Sequence, residues 1–144
     1  MSTALASATA ITFVWLGMVL AISFLEAPLK FRAPGVDLRT GLAIGRLVFR
    51  ALNVAEALLA IAALAALGVG GAPGRVLAAA IAAVVILAIQ VAAVRPLLSR
   101  RSDRVLAAPA EDEPPRSRVH LVYVALEIAK VAALIVAGAL ILAA

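Results

Sequence analysis

Strongly polar side chains interrupt apolar sequence at two places in this chain. The stretch "FRALNVAEALLAIAAL" (49–64) contains Arg50, Asn53 and Glu56. A second set follows near the C-terminus at spacings of three, four and three: His120, Tyr123, Glu127 and Lys130. Such spacings put side chains on one face of a helix. Groups of these types can form ion pairs, exchange a proton or hold a cation, so the seven residues are the candidate site.

The composition places this site in a membrane. Of 144 residues, 65% are hydrophobic, and the mean hydropathy is +1.14, which is typical of a polytopic membrane protein. The absence of cysteine excludes disulfides, thiolate metal sites and iron–sulfur clusters. One histidine and two methionines leave little to ligate haem or copper. We therefore expect no metal and no cofactor.

Apolar runs separated by polar turns predict an all-α fold, a single domain over 1–144 with four transmembrane helices in an up-down bundle. The helices are expected at about 5–27, 41–67, 75–95 and 119–143. The first is read as a spanning helix, because a cleaved signal would begin with positive charge. Pro96 is expected to end the third helix, and 99–118 to form a mobile linker.

Basic residues set the expected orientation. Lysine and arginine concentrate in loops 28–40 and 96–118, whereas the opposite side has only Arg75. The positive-inside rule then makes both loops cytoplasmic and both termini external, here in a bacterial cytoplasmic membrane. The partners expected are membrane lipids and a homo-oligomer or larger membrane complex, with no nucleic acid. The residues expected at lipid headgroups are Lys30, Arg32, Arg100 and Arg101.

Helix lengths indicate the depth of the polar groups. Glu56 lies only about 18 Å of helix from the "GVGGAPG" turn, so it must sit well inside a hydrocarbon layer about 30 Å thick. Measured from the C-terminus, Lys130 is nearly level with Glu56, and Glu127 with Arg50. We expect the second and fourth helices to pack side by side as a neutral set of two ion pairs. On that basis, losing Glu56 alone should destabilise the protein more than losing Glu56 and Lys130 together.

Two further patterns concern helix packing. The first helix ends in "APLKFR" and the third in "VRPLLSRR", each a proline–leucine pair followed by basic residues. This weak similarity has two interpretations: the chain consists of two parallel hairpin repeats, or the match is a coincidence. Gly41 and Gly45 form a small-x-x-x-small pair, which indicates close helix contact within the bundle or between copies.

The stretches "SFLEAPLKFRAPGVDLRTGLAIGRLVF" (23–49) and "SRVHLVYVALEIAKVAALI" (117–135) resemble the transmembrane protein 205-like family of small four-helix proteins. The resemblance implies the four-helix membrane fold and highlights Pro28, Phe31, Arg32, Arg46 and His120. Glu127 and Lys130 depart from the neutral pair that the family would have there.

A second resemblance points to chemistry. Arg50, Asn53 and Glu56 give Arg-x-x-Asn-x-x-Glu, which is similar to the Arg-x-x-x-Asn-x-x-Glu of membrane-associated eicosanoid and glutathione enzymes. The missing residue rotates Arg50 by about 100° around the helix. This resemblance implies glutathione as a substrate.

Three functions follow from these patterns. The first is a non-catalytic assembly or interaction subunit that uses the polar stripe as a lock. The second is a small carrier or channel that takes a cation, a proton or a polar solute on Glu56 and Glu127. The third is a glutathione-dependent membrane enzyme. The sequence favours the non-catalytic assembly subunit. The four paired charges of the two helices add to zero and lie at matching depths, which suits ion pairing, whereas a carrier keeps one carboxylate unpaired.

Overall fold

The computed structural model describes residues 1–107 and 118–144, and the elements within them are helical. Four helices are long and apolar enough to cross a membrane: α1 (Thr3–Arg32), α2 (Leu38–Val69), α3 (Gly74–Ala107) and α4 (Arg118–Leu142). The predicted all-α class is confirmed, as are four helices of membrane-spanning length. The exposed residues include many large aliphatic side chains, among them Leu47, Leu58, Ile61, Val85 and Ile128. A surface of this kind suits a lipid environment.

Local sequence explains where the helices begin and turn. Ser2 caps α1 by accepting a hydrogen bond from the Leu5 N–H at 3.2 Å. Asp37 caps α2 by accepting from the Thr40 N–H at 2.8 Å, and this bond lowers the pKa of the Asp37 carboxyl. Between α2 and α3 the chain reverses through Gly71, whose φ of 62° suits glycine.

Two predicted boundaries were wrong, and both involve proline. α1 continues through Pro28 to Arg32, where a loop was expected from residue 28. α3 continues through Pro96 to Ala107, although Pro96 was expected to end it. The remaining differences are a few residues at the ends of α2 and α4. Half of the linker that was expected to be mobile, 108–117, lies outside the described residues; of the other half, 99–107 belongs to α3 and Arg118 begins α4.

A π-helical turn precedes each of these prolines. It spans Leu20–Glu26 in α1 and Gln90–Val94 in α3. In an ordinary α-helix the proline ring would collide with the carbonyl four residues earlier, and a widened turn relieves this collision. The similarity between "APLKFR" and "VRPLLSRR" therefore has a structural counterpart. Both helices widen immediately before the proline–leucine pair.

The core is built by all four helices. One buried cluster contains Trp15, Ala60, Leu87 and Leu134 with their neighbours, and another contains Ala8, Leu67, Val76 and Ile141. Backbone contacts join α1 to α2, α2 to α3, α3 to α4 and α4 back to α1. Helices α2 and α4 therefore face each other across this ring. The expectation that they pack side by side was wrong, because α1 and α3 lie between them.

The glycine pair at the start of α2 accommodates side chains from the end of α1. A methyl group on Gly41 would overlap the Phe31 ring, and one on Gly45 would lie 2.9 Å from the Lys30 Nζ. The close contact expected at these glycines thus forms within the chain, between α1 and α2.

This packing predicts opposite results for two alanine substitutions. Gly41→Ala should destabilise the protein by about 1–3 kcal/mol, because the Phe31 ring must move. Gly17→Ala should be neutral or stabilising by up to about 1 kcal/mol, because its Cβ would meet no atom within 4 Å. Thermal unfolding in detergent compares the two variants. Equal melting temperatures would contradict this view of the α1–α2 contact.

Candidate functional site

Lys130 is the centre of a buried polar cluster in the middle of the bundle. Its Nζ lies 2.6 Å from Glu56 Oε1 and 2.6 Å from Glu127 Oε1. It also donates a hydrogen bond of 2.8 Å to Gln90 Oε1. Glu127 Oε1 makes the ion pair with Lys130 but has no hydrogen-bond partner among the described residues. We call Glu56, Glu127, Lys130 and Gln90 the core cluster; their exposed fractions are 0%, 1%, 0% and 0%.

The other helices hold the two carboxylates in place. Trp15 Nε1 donates to Glu56 Oε1 at 2.9 Å, and Ser23 Oγ donates to Glu127 Oε2 at 2.9 Å. Gln90 Nε2 reaches the backbone carbonyl of Tyr123 at 3.5 Å. Each helix therefore contributes at least one polar group, so folding of the whole bundle assembles the cluster.

The π-helical turns help to position this cluster. Ser23 lies within the turn of α1, and Gln90 begins the turn of α3. Each turn thus supplies one hydrogen-bonding side chain to a charged member. Turns of this kind are frequent at functional sites, because they redirect side chains without ending the helix.

The charges of the core cluster do not balance. Two carboxylates share one ammonium, which leaves one negative charge in excess if all three groups are ionised. Glu56 Oε2 is buried and has no hydrogen-bond partner among the described residues. The sequence predicted a neutral set because it paired Arg50 with Glu127. That pairing was wrong: Arg50 is exposed and forms no ion pair within the part of the chain that the structure describes.

A cavity of about 430 Å³ extends from Glu127 towards the end of the bundle that contains the α1–α2 connection. Its walls include aromatic rings, among them Phe31, Phe49 and Tyr123, and the basic side chains Lys30, Arg46, Arg95, Arg101 and His120. The Tyr123 hydroxyl is buried with no hydrogen-bond partner among the described residues. Glu127 is the member of the core cluster that lines this cavity.

Arg95 lies over two aromatic rings of this cavity. Its guanidinium carbon is 5.2 Å from the centre of Phe49 and 5.7 Å from that of Tyr123, and the two rings meet edge to face. Such cation–π contacts hold a guanidinium without neutralising it. Arg95 forms no ion pair with Glu127 among the described contacts, so it leaves the excess charge of the core cluster without a direct partner.

The seven candidate residues therefore separate into three groups. Glu56, Glu127 and Lys130 meet in the core cluster, and the expected contact between Glu56 and Lys130 is present. Tyr123 and His120 line the cavity. Arg50 and Asn53 line a groove between α2 and α3 instead.

The four residues expected at lipid headgroups also separate. Arg32 and Arg100 are exposed, which is compatible with that role. The prediction for Lys30 was wrong, because its side chain is only 10% exposed and lies 3.8 Å from Glu26 beside the cavity. Arg101 also lines the cavity and is only partly exposed.

Sequence reasoning missed three members of the site: Trp15, Ser23 and Gln90. Gln90 had a usable signal, because it is the one strongly polar residue in the apolar run from Val76 to Val94. Trp15 had one too, since an indole N–H in mid-membrane needs an acceptor. Ser23 had none that distinguishes it from an ordinary helix serine.

Comparison of the chain with protein-family models, with curated proteins and with solved structures finds no match.

Proposed function

We propose that this protein is a small membrane carrier that exchanges a proton or a monovalent cation at the carboxylates of the core cluster. The observation that carries the proposal is the sharing of one buried ammonium by two buried carboxylates. An uncompensated charge in hydrocarbon costs on the order of 3 kcal/mol or more. A proton or a monovalent cation on the carboxylates would remove that cost, and its release would restore it.

The cavity supports access to the cluster from one side. It reaches Glu127 and is lined at its basic end by Lys30, Arg46, Arg95, Arg101 and His120. Towards the opposite end, the cluster of Ala8, Leu67, Val76 and Ile141 is entirely apolar and buried. A site reached from one side suits a carrier that changes shape between two states better than it suits an open pore.

The proposed topology is an up-down bundle in a bacterial cytoplasmic membrane. Packing of Ala8 with Leu67, Val76 and Ile141 favours it, because these residues lie near the start of α1, the end of α2, the start of α3 and the end of α4. In this topology the segments 28–40 and 96–118, which hold most of the lysines and arginines of the chain, are cytoplasmic and both termini are external.

The assembly role that the sequence favoured stays a proposal with less support. It required a neutral polar stripe available to a partner, whereas in the core cluster two carboxylates share one ammonium within one chain. The glutathione role also loses support, because it needs Arg50 and Glu56 at one site. Glu56 lies in the core and Arg50 in the outer groove.

Flux through liposomes tests the carrier. Purified protein is reconstituted, a pH step or a replacement of choline by Na⁺ or K⁺ is imposed, and trapped dyes that respond to pH and to Na⁺ or K⁺ report the interior. We expect protein-dependent exchange well above that of protein-free liposomes. Flux equal to the protein-free level under both gradients would overturn the proposal.

A further inference from the structure

A second cavity, a groove of about 370 Å³, lies between α2 and α3. It is lined by Arg46, Arg50, Asn53, Val54, Ala57, Val91, Arg95 and Ser99. Basic side chains gather at one end of the groove, and apolar ones at the other. This division matches that of a phospholipid, with an anionic headgroup joined to acyl chains.

The depth of the basic end matches that of a headgroup. Arg50 lies about 28 Å of helix from Val69, and Arg95 lies about 32 Å from Gly74. Both distances approach the hydrocarbon thickness of about 30 Å, so the two guanidinium groups lie at the same membrane boundary. Asn53 is one turn deeper, where the glycerol esters of a lipid would lie.

The charges at this end also lack internal compensation. Arg46 donates to Asp103 Oδ1 at 2.6 Å, which joins α2 to α3 below the groove. Arg50 and Arg95 have no ion pair among the described residues. Asn53 Oδ1 is buried without a hydrogen-bond partner in the same part of the chain. Two guanidinium groups are therefore available to an anionic ligand, whereas Asn53 Oδ1 is an acceptor and needs a donor that a phosphate or an ester does not carry.

We propose that this groove binds an anionic phospholipid, with its phosphate between Arg50 and Arg95 and its acyl chains along Val54, Ala57 and Val91. The guanidinium groups supply charge-assisted hydrogen bonds to the phosphate oxygens. The lipid would join α2 to α3, which make less backbone contact than the other neighbouring helix pairs of the ring. The groove shares Arg46, Arg95 and Ser99 with the cavity that reaches Glu127, but lipid binding there does not require ion exchange at the core cluster.

Native mass spectrometry of the detergent-solubilised protein tests this site. The protein is titrated with phosphatidylglycerol or with phosphatidylcholine of the same acyl chains. The wild type should retain one phosphatidylglycerol in clear preference to phosphatidylcholine. The double variant Arg50→Gln/Arg95→Gln should bind phosphatidylglycerol roughly 30-fold more weakly, as expected for the loss of two interfacial arginines.

A matched control separates a site from a general charge effect. The double variant Arg75→Gln/Arg104→Gln loses the same formal charge from two exposed arginines that line neither cavity. It should bind like the wild type, and circular dichroism should show all three proteins folded. Equal weakening in both double variants, or no preference for the anionic lipid, would overturn the inference. So would full competition by inorganic phosphate at the lipid's concentration, which would indicate a site for free anions.

Discussion

Replacing Lys130 by methionine should cost about 3–5 kcal/mol of folding free energy, the range measured when one partner of a buried ion pair is removed. The variant keeps the length and apolar stem of the side chain but leaves Glu56 and Glu127 buried without their counter-charge. Gln90 would also lose the donor to its side-chain oxygen. We expect little monodisperse protein after extraction, and a much lower melting temperature for what remains.

Removing all three charges should recover most of this loss. In Glu56→Gln/Glu127→Gln/Lys130→Met no charge is buried in the cluster, and the amides still accept from Trp15 and Ser23. The measurement is the melting temperature of the two variants and the wild type in one detergent. If the triple variant is as unstable as Lys130→Met, charge balance does not determine the stability of this cluster.

The same cluster changes an expectation drawn from the sequence. With two partners only, losing Glu56 alone would be worse than losing Glu56 and Lys130 together. In the structure, Glu56→Gln leaves Lys130 paired with Glu127, whereas the joint change leaves Glu127 without a cation. The order should therefore be reversed, and the single variant should be the more stable.

The second large effect concerns ion exchange. Either Glu56→Gln or Glu127→Gln should reduce liposome flux to the protein-free level, because each variant leaves one carboxylate for one ammonium and no excess charge to take up an ion. Both proteins should remain folded, since Lys130 keeps one carboxylate partner. The measurement is the flux assay above, with melting temperatures taken in parallel.

Glu26→Gln is the matched control for this effect. Glu26 is a glutamate of α1 that lies near the cavity. Its partner is Lys30 at 3.8 Å, and it belongs to neither the core cluster nor the cavity lining. It should keep the flux of the wild type. Loss of flux in all three variants would point to a general requirement for acidic residues, and unchanged flux in Glu127→Gln would remove the core cluster from the transport route.

Much of the fold followed from the sequence, because a membrane imposes length and hydropathy on each helix. The apolar runs predicted four helices, and the helix lengths predicted that Glu56 and Lys130 lie at nearly the same depth in the membrane. The wrong predictions concern features that the apolar pattern of a single helix does not indicate. Pro28 and Pro96 do not break their helices because a π-helical turn before each makes room for the ring.

The charge balance of the site depended on the azimuth of each residue around its helix. Depth alone matched Arg50 with Glu127, but Arg50 points to the groove between α2 and α3, whereas Glu56 points into the core. The hydrogen bonds from Ser23, Trp15 and Gln90 come from helices that carry no recognisable polar stripe. These hydrogen bonds depend on the order of the helices around the bundle, in which α1 and α3 lie between α2 and α4.

Infrared difference spectroscopy of the reconstituted protein tests most directly whether the carboxylates of the core cluster take up a proton or a monovalent cation. Spectra are recorded across a pH step and across a change of monovalent cation, for the wild type, Glu127→Gln and Glu26→Gln. We expect a carboxyl or carboxylate band that responds to one of these changes in the wild type and in Glu26→Gln, and that is absent in Glu127→Gln. A carboxylate spectrum that responds to neither change, or a response that survives in Glu127→Gln, would contradict ion uptake at the core cluster.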